Sequence, residues 1–351
     1  MSNGQPETCR AQSCRKDSTM MQRFFRRLAL NRFVVLGRVG MDLYADPPGT
    51  EIGTATRFFS AIGGSAGNIS VALARQGAGA ALLTRVSDDA VGRYCRSELA
   101  RYGVDTAHVG FATGSARTSL AVTETRAVNC QTVLYRNDAA DFALRPEDAE
   151  VVDFAPVAAL VVTGTALAAE PSRKAALLAL HRARQAGALC VIDLDWRAYS
   201  WPTADEAATI CLSAARDCDI VVGNDEEFDL LGRGAGRALA QTLAQEASRL
   251  VIYKQGAQGC ITFTPDDSFA TGIYPVRALK PTGAGDGFMG GLLAGLAQGH
   301  TLERSVLRGA STAAIIVAGI GCAPASPDRA SLDDFMAVNE PGRTADAHRP
   351  A

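Results

Sequence analysis

Short apolar runs rich in β-branched residues recur from Arg32 onward: FVVLGRV, AALLTRV, VAALVVTG, ALCVIDLD, CDIVVGN and RLVIYKQG. They are apolar at successive positions, the pattern of strands in a parallel sheet covered on both faces. Between them lie NISVALARQG, DDAVGRYCRSELARYG, SRKAALLALHRARQAG and TADEAATICLSAARD, which read as helices. Strand alternating with helix predicts an α/β fold, a doubly wound, mainly parallel sheet with helices on both faces. Two segments break the rhythm. Residues 43–60 and 106–137 are rich in Thr, Val and Gly with partial two-residue alternation, and they read as hairpins. A small β element inserted at two places would form a lid over the carboxyl ends of the strands, where such sheets bind ligands; ordinary edge hairpins are an equal reading.

With 47% hydrophobic and 21% charged residues over 351 positions, the chain has ample material for a packed core. A formal net charge of −2 argues against a nucleic-acid partner. FAPVAALVVTGTALAA and GASTAAIIVAGIGCAPASP are uncharged, but Pro, Gly, Ser and Thr leave them too weakly apolar for membrane spans. The scattered cysteines form no CxxC pair and read as reduced cytosolic thiols, and the histidines form no metal-binding pattern. The Arg-rich start, CRKDSTMMQRFFRRLALNRF, lacks the apolar core of a secretory signal. It reads as a disordered tail through residue 31, with Met20 or Met21 as an alternative start. A single domain over 32–340 and a second disordered tail over 341–351 would follow.

Candidate chemistry concentrates in KPTGAGDGFMGG, residues 280–291, which runs into a helical pattern through Phe288, Leu292, Leu293 and Leu296. GDGFMG matches GxGxxG, but it lies near the carboxyl end of the α/β pattern and the first strand carries no such loop, so a dinucleotide site is not expected. A Walker-type GxxxxGKS/T loop is absent. The amides of Gly283, Ala284, Gly285 and Asp286 would be unpaired donors at the positive end of a helix, which is an anion site. Asp286 alone could be a helix cap. Gly287, Gly290 and Gly291, however, each lower helix propensity by up to ~1 kcal/mol relative to Ala, so something must approach this backbone closely. They would keep the helix face low for a nucleotide and its acceptor. A phosphate held by the amides, beside a carboxylate that takes a proton from a hydroxyl, makes a phosphoryl-transfer site.

KPTGAGDGFMGG resembles the C-terminal signature of the ribokinase-like (PfkB) carbohydrate kinases, and residues 63–106, beginning GGSAGNISVALARQG, resemble the N-terminal one. The likeness spans residues 32–338. It implies a ribokinase-like fold with a lid made from two insertions, and transfer of phosphate from ATP with Mg²⁺; a monovalent-cation requirement is left open. By position within the motifs it implies Asp286 as the general base and the amides of GAGD as the anion hole. Asp42, Gly63, Gly64 and Asn68 would contact the sugar. Asn224 and Glu227 of NDEE would organise Mg²⁺ and its waters, and Lys254, Gly256 and Gly259 of KQGAQG would lie near the nucleotide. Taken alone, Asn68 and NDEE read as helix caps and KQGAQG as a hairpin turn. STAAIIVAGIGCAPASP would help to form the adenine pocket.

LYRNDAADFAL, DLDWRAYSW, KPTGAGD and GCAPASP are similar to a branch of the family whose acceptor is a keto-deoxy sugar acid. This implies phosphorylation of the C6 hydroxyl of 5-dehydro-2-deoxy-D-gluconate, in myo-inositol breakdown. Arginine is the usual grip on a carboxylate. Arg136, at the inner end of the lid, and Arg197, beyond a strand end, would hold the acid end; a surface arginine is the alternative for each. Gly287, where Ala is common, and Thr282, where Phe is frequent, depart from that branch and bear on substrate choice. A 2-dehydro-3-deoxygluconate kinase, a neutral-sugar kinase and a non-catalytic sugar-binding regulator stand as alternatives. The lid's exposed face would also form a homodimer contact.

Overall fold

The computed structural model describes residues 20–126, 129–247, 249–280 and 282–342. Its strands are β1 (Arg32–Leu36), β2 (Gly40–Asp46), β3 (Arg57–Gly63), β4 (Gly79–Ser87), β5 (Val109–Ala112), β6 (Ser119–Thr123), β7 (Thr132–Tyr135), β8 (Ala159–Thr163), β9 (Leu189–Asp193), β10 (Ile220–Asn224), β11 (Leu250–Lys254), β12 (Cys260–Phe263) and β13 (Ser268–Thr271). The helices are α1 (20–28), α2 (Ser65–Arg75), α3 (Ala90–Arg101), α4 (Pro146–Glu150), α5 (Ser172–Gln185), α6 (Ala204–Arg216), α7 (Asp225–Gly232), α8 (Gly236–Glu246), α9 (Ala284–Ala297), α10 (Leu302–Ala318) and α11 (Arg329–Val338).

Nine strands form one sheet in the order β13-β12-β11-β10-β9-β8-β1-β4-β5. From β11 to β5 every pairing is parallel, as the six apolar runs predict. Alternation along β1 shows why those runs are apolar throughout. Phe33 and Val35 enter one core with α1, α2, α9, α10 and α11, while Val34 and Leu36 enter the other with α5, α6, α7 and α8. The chain leaves β1 toward β4 on one side and later returns to β8 on the other, which opens a crevice at the carboxyl ends of the central strands.

The irregular segments do form a separate sheet, in the order β3-β2-β6-β7. Its bounds differ from those expected. The first insertion runs from Gly40 to Gly63, and only β6 and β7 of the second belong to it. Residues 109–112, expected in the lid, instead extend the large sheet beside β4. At the opposite edge β12 and β13 add two antiparallel strands that the apolar-run pattern does not reveal.

The amino-terminal segment needs a larger correction. Residues 20–28, expected in a disordered tail, are helical. Met20, Phe24 and Leu28 recur at four-residue spacing and are buried in the first core. Arg27 donates to the carbonyl oxygens of Phe154, Ala155 and Val157, which ties the helix to the segment leading into β8. The rest of the expected tails, residues 1–19 and 343–351, lies outside the described residues. No helix among the described residues is long and apolar enough to cross a membrane.

Candidate active site

Helix α9 begins after Gly283, whose φ of 84° is the left-handed conformation that glycine adopts without strain. Space demands glycine there as well: a methyl group would fall 2.1 Å from Cys322 Sγ. The first amide to find a helical acceptor is that of Gly287, 3.1 Å from the Gly283 carbonyl oxygen. The amides of Ala284, Gly285 and Asp286 have no helical acceptor among the described residues, an arrangement that suits an anion. Lys254 caps this turn from the end of β11, since a methyl group at Gly285 would meet its Nζ at 3.2 Å. Burial alone would lower the pKa of Lys254. Asp193, Glu227, Asp286 and Asp195 outweigh it and hold the ammonium above its usual value.

Asp286 Oδ2 accepts a hydrogen bond of 2.8 Å from Asn68 Nδ2. Asn68 is thus not a cap: Gly64 is the N-cap of α2, and the Asn68 side chain reaches across to α9. Its Oδ1 is buried without a partner among the described residues and can accept from an incoming hydroxyl. Burial pushes the Asp286 carboxyl from 3.8 up to about 7, helped by the charges of Asp195 and Asp193 and opposed by Asn68 and Arg197. A carboxylate poised near neutrality is what a general base requires.

The helix glycines serve a different purpose from the one expected. A methyl group at Gly290 would fall 2.4 Å from the Ala72 methyl of α2; one at Gly287 would fall 2.3 Å from Ile316 and one at Gly291 2.5 Å from Thr312, both on α10. These glycines bring helices together around α9 rather than leaving its face low for ligands.

On the lid side, Asp42 lies on β2 and accepts from the Tyr44 hydroxyl at 3.0 Å. Burial raises its pKa, while Arg38, Tyr44 and Lys280 oppose the rise. Gly63 must lack a side chain because a methyl group would fall 2.1 Å from Asp42 Oδ1. Gly64, at φ 85°, would place one 2.6 Å from the Arg38 carbonyl oxygen. Gly63 and Gly64 thus make the turn from β3 into α2, which carries Asn68, and Asp42 on the neighbouring β2 lies against Gly63.

At the carboxyl ends of β9, β10 and β11 lies a charged cluster. Asn224 and Glu227 form a reciprocal capping box at the start of α7, with bonds of 2.8 Å in each direction. Glu227 Oε1 also accepts from the Trp196 amide at 3.2 Å. Arg197 pairs with Asp195 at 2.9 Å and approaches Glu227 at 3.9 Å. The Asp195 charge, with Glu227 and Asp286, raises its pKa against desolvation. Gly256 and Gly259 form the β11–β12 turn next to Lys254, both at positive φ.

Arg136 does not present an open fork. Asp141 occupies both terminal nitrogens, at 2.9 and 2.7 Å, in a buried pair stacked over Phe142. Two elements of the site escape sequence reasoning. Asp193, 4.0 Å from Lys254, and Asp195 stand beside Asp286 in DLDWR, where only Arg197 draws attention. Arg38 is the first charged residue beyond β1 and acts on Asp42; its signal is a cation following a strand carboxyl end.

The profile of the pfkB family carbohydrate kinases matches residues 30–329. The chain belongs to this family. It is 38% identical over 314 residues to a 5-dehydro-2-deoxygluconokinase of Photobacterium profundum, covering 88% of this chain and 95% of that protein. It is 33% identical over 320 residues to one of Geobacillus kaustophilus, covering 89% and 96%. Among solved structures, a Vibrio cholerae fructokinase double mutant with fructose, ADP and potassium ion bound superposes with a TM-score of 0.78 at 26% identity, covering 87% of this chain and 98% of that one. A Xylella fastidiosa fructokinase with bound ATP has the same fold, with a TM-score of 0.77 at 22% identity, covering 88% and 98%. The PfkB chain described here is accordingly a phosphotransferase acting on a sugar hydroxyl.

Proposed function

We propose that this PfkB kinase transfers the γ-phosphoryl group of ATP to the C6 hydroxyl of 5-dehydro-2-deoxy-D-gluconate in myo-inositol breakdown. The carrying observation is the Asp286–Asn68 contact of 2.8 Å at the head of α9, beside Lys254. The acceptor hydroxyl gives its proton to Asp286 as its oxygen bonds to the γ-phosphorus. The bond from that phosphorus to the bridging oxygen breaks, and ADP departs with the electron pair. Negative charge on the transferring group meets the amides of residues 283–286 and the Lys254 ammonium. Asp42 and Asn68 Oδ1 orient the sugar hydroxyls. The identity of the relatives supports a sugar-acid acceptor. Arg136 is buried against Asp141, whereas Arg197, although paired with Asp195, keeps its side chain partly exposed, so the acid end falls to Arg197 and Arg38.

Mg²⁺ would neutralise phosphate charge in this site. Among the described residues no three acids, histidines or cysteines converge to hold a metal directly. Both Glu227 oxygens already accept backbone amides, so Asn224 and Glu227 fit an ion held through its waters and by the phosphates. In the same reading, Gly256 and Gly259 flank the nucleotide, and the exposed Phe58, Phe59, Val133 and Tyr135 of the lid form a contact with a second copy.

An ATP-coupled assay across keto-deoxy sugar acids and neutral sugars tests the acceptor. Arg197→Ala should lower kcat/KM for the acid by about 2 kcal/mol more than for neutral sugars, the scale of a charge-assisted hydrogen bond, with the loss common to both classes reflecting the help Arg197 gives to ionisation of Asp286. Equal losses on both classes remove the carboxylate assignment.

A further inference from the structure

Lys280 is fully buried, and among the described residues no carboxylate lies within ion-pairing distance of it, although Asp42 is near enough to feel its charge. Its Nζ donates to the carbonyl oxygen of Thr282 at 2.8 Å and that of Ile316 at 3.4 Å, and contacts Cys322 Sγ at 3.6 Å. An ammonium has three protons and no acceptor, and three acceptors surround it. Ile316 belongs to the last turn of α10, where the helix dipole is negative, and its carbonyl oxygen, which also accepts from the Gly319 amide at 3.2 Å, has a second lone pair for the ammonium. The ammonium therefore joins the α9 entry turn, the end of α10 and the loop carrying Cys322. Burying an amine costs several kcal/mol that a methionine of similar length would avoid, so packing alone does not account for a lysine here.

Peptide geometry connects this contact to catalysis. In a planar trans peptide the carbonyl and the following amide point in opposite directions. With the Thr282 carbonyl turned toward Lys280, the Gly283 amide faces away from it, on the side of the anion site. Backbone carbonyls are also the ligands by which proteins hold a desolvated monovalent cation, and two carbonyls with a thiol take that part around Nζ. Here the charge is attached to the chain.

We propose that Lys280 is a positioning residue serving as a tethered monovalent cation, which orients the anion-hole turn and makes phosphoryl transfer by this kinase independent of free potassium or ammonium. The proposal rests on the phosphoryl-transfer reading of the α9 turn and not on which sugar is the acceptor.

The full-length chain is assayed with whichever acceptor it turns over, in potassium chloride and in choline chloride of equal ionic strength. The wild type should give the same kcat in both. Activation by potassium of about tenfold or more overturns the proposal, whatever the variants do. Lys280→Met should lower kcat by about a hundredfold, the scale of a displaced catalytic group, with the acceptor KM little changed because Asp42 and Asn68 remain in place. A folded Lys280→Met with wild-type kcat also overturns it. In Lys280→Ala, ammonium or potassium should restore part of the lost rate and choline should not, which separates a missing cation from missing packing. ATP-dependent elevation of Tm, equal in potassium and choline for the wild type, reads the same site without an acceptor. If the active acceptor is another sugar, the substrate assignment fails while each of these arms stands.

Discussion

Replacing Asp286 by asparagine should damage catalysis and raise stability together. The substitution preserves shape, and the asparagine oxygen can still accept from Asn68, 2.8 Å away in the wild type. Loss of a general base costs about a thousandfold in kcat, or ~4 kcal/mol of barrier. The stability effect follows from the carboxyl's rise from 3.8 to about 7. Well below pH 3.8 folded and unfolded chains both hold the proton, and the residue contributes no penalty. As pH climbs, the unfolded chain ionises first while the folded one keeps its proton, so native stability falls relative to low pH until the folded value is passed. Three units correspond to at most ~4 kcal/mol, reduced to about 2 kcal/mol because the residue is partly open to the cleft. Asparagine escapes that loss. Melting curves of both proteins from pH 4 to pH 8 should show a gap that opens with pH and reaches about 3 °C in favour of Asp286→Asn. In the wild type, kcat/KM should rise with pH and level off above about 7. Residual activity within about tenfold of wild type would refute the base assignment, and a pH-independent gap in Tm would refute the poised carboxylate.

Asn68→Ala should lower kcat by about tenfold, the worth of one hydrogen bond to a charged group. It should also move the pH–rate midpoint upward, because Asn68 favours the ionised form of Asp286; an unmoved midpoint would place Asn68 outside the base's environment. Gly283→Ala should cost about 2–4 kcal/mol of stability, from left-handed strain and the collision with Cys322 Sγ. Urea unfolding checks it, and a loss below 1 kcal/mol would mean that the turn relaxes.

The sheet was legible because a strand buried on both faces needs apolar residues at consecutive positions, a local signature that β1, β8, β9, β10 and β11 all carry. β12 and β13 are short strands that join an edge by antiparallel pairing, a long-range event with little local pattern. The stripe of Met20, Phe24 and Leu28 was present in the sequence but was masked by surrounding arginines, one of which, Arg27, proves to be a clasp. At the site, the place of Asp286 in the first turn of a helix was readable from its glycines. Arg136 was misjudged because its availability depends on Asp141, and ion pairing is decided by the fold, not by residue type. Gly290 announced a close approach without saying what approaches. Lys280 showed only a cation beside a turn, since its surroundings of carbonyls exist only after α10 and the Cys322 loop have packed.

The contact between Gly290 and Ala72 lies one helical turn below the contact between Asp286 and Asn68, because each pair is spaced by four residues on its own helix. The crossing of α2 and α9 thus works as a gauge block: the thickness of two small residues sets how far Asp286 stands from the side chain that tunes it. The span from Asp286 to Asn68 is machined in the hydrophobic core, and a single methyl group inserted at position 290 would reset it without altering either residue.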